Sequence, residues 1–345
     1  MENKKHHILF LPAWYPHRYD AMEGLFVQNH AKATAPYERI TVLHAVAIDT
    51  DHPFPTLEIN KENGFPEITV YYQKVHSRIP LISQYKKYKR WKEALQKGIN
   101  YAVMHYGQPD FIHNHILTRY GIAALFLSKK WHISYGITEH WSRYLSSRRH
   151  RDYRGIFRRL LTRRIVRRAK FVLPVTQNLQ KAMQEVGLKN TNYTVVPNVV
   201  DTSLFRPSAT TPPKQPFRFL HVSCMDNRAK NITGLLDAVK QLSQSFQDFS
   251  LTLVGDGPDL TMIQEYANSL NIDKFIRFTG LLTDHNLVSE FQAGHCLVLF
   301  SHYENMPVVI NESFACGLPV IATAVGGIPE IVTPERGILV APNDT

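Results

Sequence analysis

The chain has 345 residues, 44% of them hydrophobic, with a mean hydropathy of −0.24 and a formal net charge of +11. A chain of this length exceeds the size at which one hydrophobic core keeps growing, so the sequence predicts two domains. No apolar stretch approaches the roughly 20 residues that a membrane-spanning helix needs, which excludes such a helix within this sequence.

Cysteine usage and the N-terminal residues indicate the compartment. Cys224, Cys296 and Cys316 lie far apart without metal-ligand spacing, and the last two lie in apolar runs, so reduced thiols are expected. Pro12 interrupts the first apolar run before the core of a signal peptide could form. The sequence therefore predicts a cytoplasmic protein.

The first half of the chain alternates strand and helix patterns. Apolar and β-branched runs predict strands at 8–11, 39–46, 68–73, 111–113, 133–138 and 171–174. Apolar residues at helical spacing predict helices at 26–35, 88–104 and 119–129. Alternation of this kind is typical of a doubly wound parallel sheet.

A second alternation follows a linker at 196–216 that ends in a stretch rich in Ser, Thr and Pro. Its predicted strands are 217–222, 251–254, 276–278, 296–300 and 320–323, and its predicted helices are 232–242, 259–270 and 284–291. We therefore predict an α/β fold with two doubly wound domains, residues 1–198 and 199–345. Ligands in such folds bind beyond the carboxyl ends of the strands.

Charge divides along the same boundary. Residues 1–198 contain 31 Lys and Arg against 14 Asp and Glu, whereas the remainder contains 9 against 15. The net charges are therefore +17 and −6. A sign change of this size indicates domains with different partners, the first of them facing something anionic.

The segment 300–330 carries the strongest chemical signal. Glu304 and Glu312 are separated by seven residues, and a helix is predicted to begin near Met306 or Pro307. Glu304 then lies in the loop before the helix, and Glu312 lies within it. Free amides in the first helical turn, together with the helix dipole, favour a bound phosphate. Two carboxylates beside an anion site suit a phosphate held between two polyols, as in a nucleotide-sugar.

These glutamates, followed by Ala-Cys-Gly-Leu-Pro-Val-Ile-Ala-Thr at 315–323, resemble the donor site of glycosyltransferase family 4, retaining enzymes of the GT-B fold. The resemblance implies two Rossmann-like domains facing across a cleft, an acceptor-side domain at 1–198 and a nucleotide-sugar donor-binding domain at 199–345. It places Glu304 on the donor sugar and Glu312 on the ribose. It includes a hinge motif at 197–201, where Val199 replaces the usual glycine. Family members continue with further helices, so the C-terminal part is expected to be truncated or short.

The resemblance also assigns the other donor-binding residues. Lys230 matches the lysine that holds the donor diphosphate, whereas the family's arginine aligns with Cys224. Either Arg228 replaces that arginine, or the helix at Pro307 carries more of the phosphate charge. The further residues placed at the donor are Gly255, Gly257, Thr279, Asn305, Met306 and Pro307. A tight turn would by itself account for the two glycines.

Strand ends of the first domain supply additional candidates. Gly24 opens a helix after the first strand, where a missing side chain would let a phosphate or sugar approach. His140, in the motif Thr-Glu-His-Trp, is predicted to act in the active site. His113 and His115 are more simply explained as structural histidines. Glu139 is expected to be a capping or buried, paired carboxylate rather than a participant.

The implied reaction uses neither a cofactor nor a metal ion. No Asp-x-Asp lies at a position suited to the donor site, so Lys230, backbone amides and a helix dipole are expected to meet the leaving-group charge. In retaining transfer the departing phosphate is itself expected to take the proton of the acceptor. His140 would then orient the sugar or stabilise positive charge through its backbone carbonyl.

A basic segment from Arg143 to Lys170 points to the acceptor side. It holds twelve Lys and Arg residues, with Asp152 as the only acid. Apolar residues recur within it at helical spacing, namely Ile156, Phe157, Leu160, Leu161 and Ile165. We expect this apolar stripe to be buried on the sheet, while the arginines bind anionic lipid at the inner membrane surface. A cell-envelope glycan or lipid-linked acceptor would be presented there.

Two other functions compete with sugar transfer. A dinucleotide-dependent oxidoreductase also uses doubly wound domains, but no G-x-G-x-x-G follows the first strand. A nucleic-acid-binding protein would explain the basic half and leave Glu304 and Glu312 unexplained, and the basic segment offers no stacking platform for bases. The sequence therefore favours a metal-independent, retaining glycosyltransferase that uses a UDP- or GDP-sugar and binds no nucleic acid.

Overall fold

The computed structural model describes residues 5–49, 56–76, 79–145, 153, 155–210 and 212–342. The chain divides into two compact units, each built on its own sheet. The first unit comprises Met1–Trp141, Arg151–Val175 and Met183–Val196, and the second comprises Ser142–His150, Thr176–Ala182 and Pro197–Thr345.

The first unit contains a seven-stranded sheet. Its strands are β1 (His7–Pro12), β2 (Arg39–Ile48), β3 (Glu58–Asn60), β4 (Glu67–Gln73), β5 (Phe111–His115), β6 (Ser134–Glu139) and β7 (Val172–Pro174). They lie in the order β3-β4-β2-β1-β5-β6-β7, and all pairs are parallel except β3 with β4. β1 is central, with Leu9 opposite Thr41 of β2 and Ile112 of β5.

Helices pack on this sheet. The first five helices of the chain are α1 (Leu25–Thr34), α2 (Pro80–Tyr106), α3 (Arg119–Trp131), α4 (Ile156–Arg168) and α5 (Gln177–Glu185). Most of α5, through Ala182, belongs to the second unit. α2 packs on β2 and β4, and α3 packs on β5 and β6. Phe10 and Leu11, which point to opposite faces of β1, are both fully buried, as a parallel sheet with two covered faces requires.

The second unit contains a six-stranded parallel sheet. Its strands are β8 (Phe217–Val222), β9 (Phe249–Val254), β10 (Ile276–Gly280), β11 (Cys296–Leu299), β12 (Val320–Thr323) and β13 (Gly337–Val340). They lie in the order β10-β9-β8-β11-β12-β13, so the winding direction reverses between β8 and β11. Doubly wound sheets bind ligands outside the carboxyl ends of the strands at such a reversal.

The helices of the second unit connect these strands. They are α6 (Asn227–Lys230), α7 (Ile232–Ser245), α8 (Leu260–Ser269), α9 (Asp284–Ala293) and α10 (Val308–Ala315). The core consists of two buried clusters, one around Leu297, Val320 and Ile310 and the other around Leu251 and Ile263. None of the described helices is long and apolar enough to cross a membrane.

The predicted α/β fold with two parallel sheets is confirmed, and most predicted elements begin and end within a few residues of the observed ones. α2 begins at Pro80, earlier than predicted. Ile82 and Tyr85 in its first turns are exposed, so they do not continue the apolar stripe from which the helix was predicted. β3 was not predicted, because it has only three residues. α5 was not predicted either, although Thr176, a common N-cap residue type, precedes it.

The expected burial of the apolar stripe in the basic segment is wrong for four of its five residues. The exposed residues of the stripe are Ile156 (73%), Phe157 (89%), Leu160 (56%) and Leu161 (37%). The residues that α4 does bury, Thr162, Ile165 and Val166, all belong to its C-terminal half, and α4 packs on α3. The first turns of α4 therefore present apolar side chains at the surface.

The basic segment itself is only partly described. The residues that lie outside the described part of the chain are Arg148, Arg149, Arg151, Asp152 and Arg154. Arg143 is only 5% exposed and donates from its guanidinium to the Tyr144 hydroxyl at 2.7 Å, so it adds no charge to an exposed face. The exposed cations that remain are Arg158, Arg159, Arg163, Arg164, Arg167, Arg168 and Lys170.

Candidate active site

A buried ion pair lies at the winding reversal of the second sheet. β11 leads into Ser301 and Glu304, while Lys230 ends the short helix after β8. Lys230 Nζ donates to Glu304 Oε1 at 2.5 Å, and Ser301 Oγ donates to the same oxygen at 2.8 Å. Burial opposes the charged form of Lys230, but the Glu304 carboxylate beside it outweighs burial, so the pKa of Lys230 is raised. The lysine therefore remains cationic at neutral pH.

Glu312 lies on α10, the helix that follows this loop. Its side chain is 8% exposed, and burial raises the pKa of its carboxyl to about 7. A carboxylate kept out of water without a cationic partner costs stability, so its presence points to a function. No described residue donates a hydrogen bond to it, and hydroxyls of a ligand would fill that role.

α10 begins at Val308, later than the predicted start at Met306 or Pro307. Pro307 is the N-cap, with an extended ψ of 119°, rather than part of the first turn. The entry to the helix is held by Asn198, whose Nδ2 donates to the carbonyl of Met306 at 2.9 Å. Asn311 Nδ2 donates in return to the Asn198 carbonyl at 3.1 Å. The hinge motif thus fixes the N-terminus of the helix that carries Glu312.

Two glycines after β12 fix the backbone of the Glu304 loop, a role that the sequence analysis did not assign. Gly326 has φ +60°, and a Cβ there would lie 1.9 Å from the carbonyl oxygen of Glu304. Gly327 donates its amide to the carbonyl of Asn305 at 3.0 Å. No other residue type fits this approach, so the consecutive glycines were a signal that could have found the contact.

The first turn of α5 also contacts this loop within the second unit. Thr176 Oγ1 donates to Asn305 Oδ1 at 3.1 Å and accepts from the Leu179 amide at 3.0 Å, which makes Thr176 a helix cap. The carboxylate of Glu330 accepts from the amides of Gln177 and Asn178, both at 2.7 Å. Asn305 is therefore held in place from its side chain as well as its backbone.

The predicted glycine loop after β9 is required by protein packing. Gly255 has φ +136°, and a Cβ there would lie 1.9 Å from the Ser223 carbonyl oxygen. A Cβ on Gly257 would lie 2.7 Å from the Met225 amide nitrogen. Close packing on the loop after β8 thus explains both glycines. Thr279 is half-buried, and its hydroxyl donates to the Gly280 carbonyl at 2.9 Å. Donor contacts of these three residues stay predictions.

Arg228 and Lys230 share the short helix α6 but differ in environment. Lys230 forms the ion pair with Glu304, whereas Arg228 is exposed and makes no ion pair with the described residues. Cys224, which takes the place of the family's arginine, is exposed as well. This arrangement is compatible with both predicted alternatives, namely that Arg228 binds the donor diphosphate or that the N-terminus of α10 carries more of the phosphate charge.

His140 lies in the first unit, directly after β6. It is 8% exposed and shares a hydrogen bond of 3.2 Å between its Nε2 and His115 Nδ1. The His115 ring is nearly parallel to the rings of His140 and Phe10, with centroid distances of 5.5 and 4.9 Å. Burial lowers the pKa of His115 well below its ordinary value, and neighbouring His113, His140 and His30 add to this effect. His115 is therefore neutral and holds the imidazole of His140.

Glu139 and His113 have structural contacts that explain them. Glu139 Oε1 accepts from the amides of His140 and Trp141 at 3.0 and 2.9 Å, and Oε2 accepts from the Leu117 amide at 3.0 Å. This agrees with the expected capping role of Glu139. His113 Nε2 shares a hydrogen bond of 2.7 Å with the Thr138 hydroxyl, and burial lowers its pKa to about 3.

Gly24 precedes α1 in the left-handed conformation, with φ +66°. A Cβ at this position would lie 2.3 Å from the carbonyl carbon of Trp14, so the helix start packs directly on the chain after β1. This packing explains the glycine, and its contact with a donor stays a prediction. Among the described residues, no group of three or more His, Cys, Asp or Glu is placed to hold a metal ion.

Two family models match the chain in succession. "Glycosyltransferase Family 4" matches residues 39–204, and "Glycosyl transferases group 1" matches residues 206–345. One curated relative is the putative teichuronic acid biosynthesis glycosyltransferase TuaC of Bacillus subtilis, 28% identical over 84% of this chain and 70% of the relative. Other curated relatives match over less of their length, 35% for an Arabidopsis thaliana protein and 48% for one from Bacillus anthracis.

Solved structures resemble the whole described fold. Sucrose-phosphate synthase from Thermosynechococcus elongatus is 22% identical, with a TM-score of 0.73, covering 99% of this chain and 87% of that one. HepE of Anabaena, solved in complex with UDP-glucose, is 19% identical with a TM-score of 0.67, covering 98% and 86%. At these identities the likeness establishes the fold.

Proposed function

Because the chain belongs to the group 1 glycosyltransferases and has the GT-B fold, we propose that it transfers a sugar from a nucleotide-sugar to a cell-envelope glycan or lipid-linked acceptor. Support for the donor class comes from HepE, which was solved with UDP-glucose. Support for the acceptor class comes from TuaC, whose name refers to teichuronic acid biosynthesis. Membership of a glycosyltransferase family argues against the oxidoreductase and nucleic-acid-binding alternatives.

The observation that carries the proposal is the Lys230–Glu304 pair at the winding reversal. An ammonium stabilises a diphosphate, and a carboxylate accepts hydrogen bonds from sugar hydroxyls, so the pair matches both parts of a nucleotide-sugar. Glu312, buried eight positions further along the chain, supplies a second acceptor for the ribose. A donor would replace the direct contact between Lys230 and Glu304 with contacts of its own.

We assign a retaining mechanism without a metal ion. The bond between the anomeric carbon and the phosphate oxygen breaks with its electron pair going to the phosphate, where Lys230 and the amides at the start of α10 stabilise the charge. The acceptor oxygen bonds to the same face of the anomeric carbon, and its proton passes to the departing phosphate oxygen. His140 orients the sugar or stabilises positive charge through its carbonyl.

Glu304→Ala is expected to lower kcat about tenfold to hundredfold, because Glu304 is assigned to the sugar. It should not weaken UDP binding, because Lys230 loses the carboxylate that competes with the diphosphate. Calorimetry with UDP-, GDP- and ADP-sugars identifies the donor, and a transfer assay measures kcat. Glu335→Ala, at an exposed glutamate, is the matched control and should behave as the parent. Activity should persist in EDTA. A chain that binds none of these nucleotides contradicts the proposed function.

We further propose that α4 holds the enzyme at an anionic membrane surface, the inner face of the cell membrane. Its exposed apolar residues lie among Arg158, Arg159, Arg163 and Arg164, and the helix contains no acid. A groove of about 590 Å³ beside it is lined by three apolar side chains and four cations, namely Phe157, Leu160, Leu161, Arg163, Arg164, Arg167 and Lys189. Apolar insertion between cations that pair with headgroups is the physical pattern of an interfacial helix.

Vesicles containing phosphatidylglycerol are expected to bind the protein at low salt, and neutral phosphatidylcholine vesicles are not. Replacing both Phe157 and Leu160 with Ser should weaken binding about 100-fold or more, because each apolar side chain buried in the membrane contributes roughly 1.5–3 kcal/mol. Phe126→Ser, at a residue 60% exposed on α3, is the control. Equal binding to both lipids, or no binding at low salt, would leave α4 without this role.

A further inference from the structure

A small polar cavity lies on the sheet of the second unit, at the opposite edge from the donor site. Its volume is about 160 Å³, and residues of β8, β9, β10 and α9 line it. Arg218, Ser250 and Arg277 are each the second residue of their strand, so the cavity lies near the amino ends of the strands. Lys230 and Glu304 follow carboxyl ends. The cavity is therefore separate from the proposed donor site.

Strand register places four lining side chains on one face of this sheet. Arg218 of β8 is paired with Ser250 of β9, and Arg277 of β10 is paired with Thr252 of β9. Paired residues of neighbouring strands project to the same side of a sheet, and so do residues two positions apart in one strand. The register therefore groups two guanidinium groups with two hydroxyl groups.

The polar character of this face is local. Leu220, on the same face of β8, belongs to a buried apolar cluster, and α9 packs on β8. On the other face of β9, Leu251 and Leu253 are fully buried. Parallel strands are usually apolar on both faces. Thr252 is only 8% exposed and Arg218 is half-buried, so exposure to water does not by itself explain these polar side chains.

The cavity offers hydrogen-bond donors that the protein does not use. The Arg218 guanidinium and the Ser250 hydroxyl make no hydrogen bond or ion pair with the described residues. Arg277 donates from Nη2 to Thr252 Oγ1 at 3.3 Å and forms an ion pair with Glu290 of α9. Two arginines and one glutamate give the lining a net charge of +1. Unused donors in a positively charged, partly buried cavity favour an anion.

We infer that this cavity binds a phosphate group. Arg218 and Arg277 pair with its oxygens, since the planar guanidinium matches phosphate with two parallel hydrogen bonds, and the Ser250 hydroxyl donates to a further oxygen. The volume of about 160 Å³ is roughly half of the smallest usual small-molecule site, so it suits one phosphate group rather than a sugar or a nucleotide. Glu290 competes with the phosphate for Arg277. This inference does not depend on the proposed function.

Calorimetric titration of the full chain with inorganic phosphate tests this site. Excess UDP is present to occupy the donor site, and ionic strength is held constant so that general screening does not contribute. Saturable binding of phosphate is expected. Arg218→Gln should weaken it about tenfold or more, because a charge-assisted contact is lost. Arg206→Gln, at an exposed arginine outside the cavity, should match the parent.

Glu290→Gln is expected to have the opposite effect. Removal of the carboxylate frees Arg277 for the phosphate, so affinity should rise about two- to fivefold, the usual strength of a partly exposed ion pair. If Arg277 and Glu290 served only the fold, this variant would lower the melting temperature and leave phosphate affinity unchanged. The increase in affinity also tests the site should Arg218→Gln fail to fold.

Glycerol 3-phosphate distinguishes a phosphate ester from the free ion. If it binds with the same dependence on Arg218, the site accepts esters, and if inorganic phosphate alone binds, the site takes the free ion. Absence of saturable phosphate binding in the parent would overturn the inference. Equal phosphate affinity in the parent and in a folded Arg218→Gln protein would do the same.

Discussion

His140→Ala is expected to lower the rate of sugar transfer about 100-fold, because it removes the imidazole assigned to orient the sugar while it keeps the backbone carbonyl. His140 follows β6 at the carboxyl edge of the first sheet, and its Nε2 is held by His115. UDP affinity should be nearly unchanged, because the nucleotide is assigned to Lys230 and Glu312 in the second unit. A transfer assay and calorimetry with UDP measure the two effects separately.

A second variant tests how the hydrogen bond from His115 to His140 contributes to the rate of sugar transfer. His115→Phe keeps a ring between Phe10 and His140 but removes the hydrogen bond to His140, so kcat should fall about tenfold with the donor KM unchanged. His115→Asn, which can restore a polar atom near Nδ1, should recover part of this loss. An unchanged rate in His140→Ala, or a large fall in its melting temperature, would make His140 a structural residue.

The donor-site residues show what sequence can and cannot predict. Strand and helix patterns correctly placed Glu304 in a loop and Glu312 in a helix, because burial on a parallel sheet dictates an apolar run before the loop. The ion pair of Glu304 with Lys230 joins residues 74 positions apart and depends on the winding order of the strands. Local patterns contain no information on that order.

α4 shows a different limit of prediction from sequence. Periodicity identified Phe157 and Leu160 as one apolar face, but it does not reveal whether another element covers that face. In the structure α4 buries Ile165 and exposes the other two. Similarly, Gly24 and Gly255 were assigned to ligand approach, and both also meet protein backbone that the sequence could not place.

The pKa of Glu312 leads to opposite effects on stability and on binding. Its folded pKa of about 7 lies above the ordinary 4.5 because of burial, so the folded state binds the proton more tightly than the unfolded state. This contribution to stability is fully present below pH 4.5 and is lost as the pH rises through 7. At pH 8 the folded protein therefore carries the cost of a buried charge, on the order of 3 kcal/mol.

Glu312→Gln should consequently stabilise the ligand-free protein at pH 8 and have little effect on its stability at pH 5. Thermal melts at the two pH values measure this difference. The same substitution should weaken UDP binding about tenfold or more at pH 8, because ribose hydroxyls lose a charged acceptor worth roughly 1.5–3 kcal/mol.

UDP affinity of the parent protein should rise between pH 6 and pH 8, as Glu312 ionises, and this rise should be reduced in Glu312→Gln. If the Glu312 carboxylate served only the fold, Glu312→Gln would instead lower the melting temperature at pH 8 and leave UDP affinity unchanged. Calorimetry at both pH values therefore decides whether the burial of Glu312 serves the nucleotide, with Glu335→Gln as the exposed control.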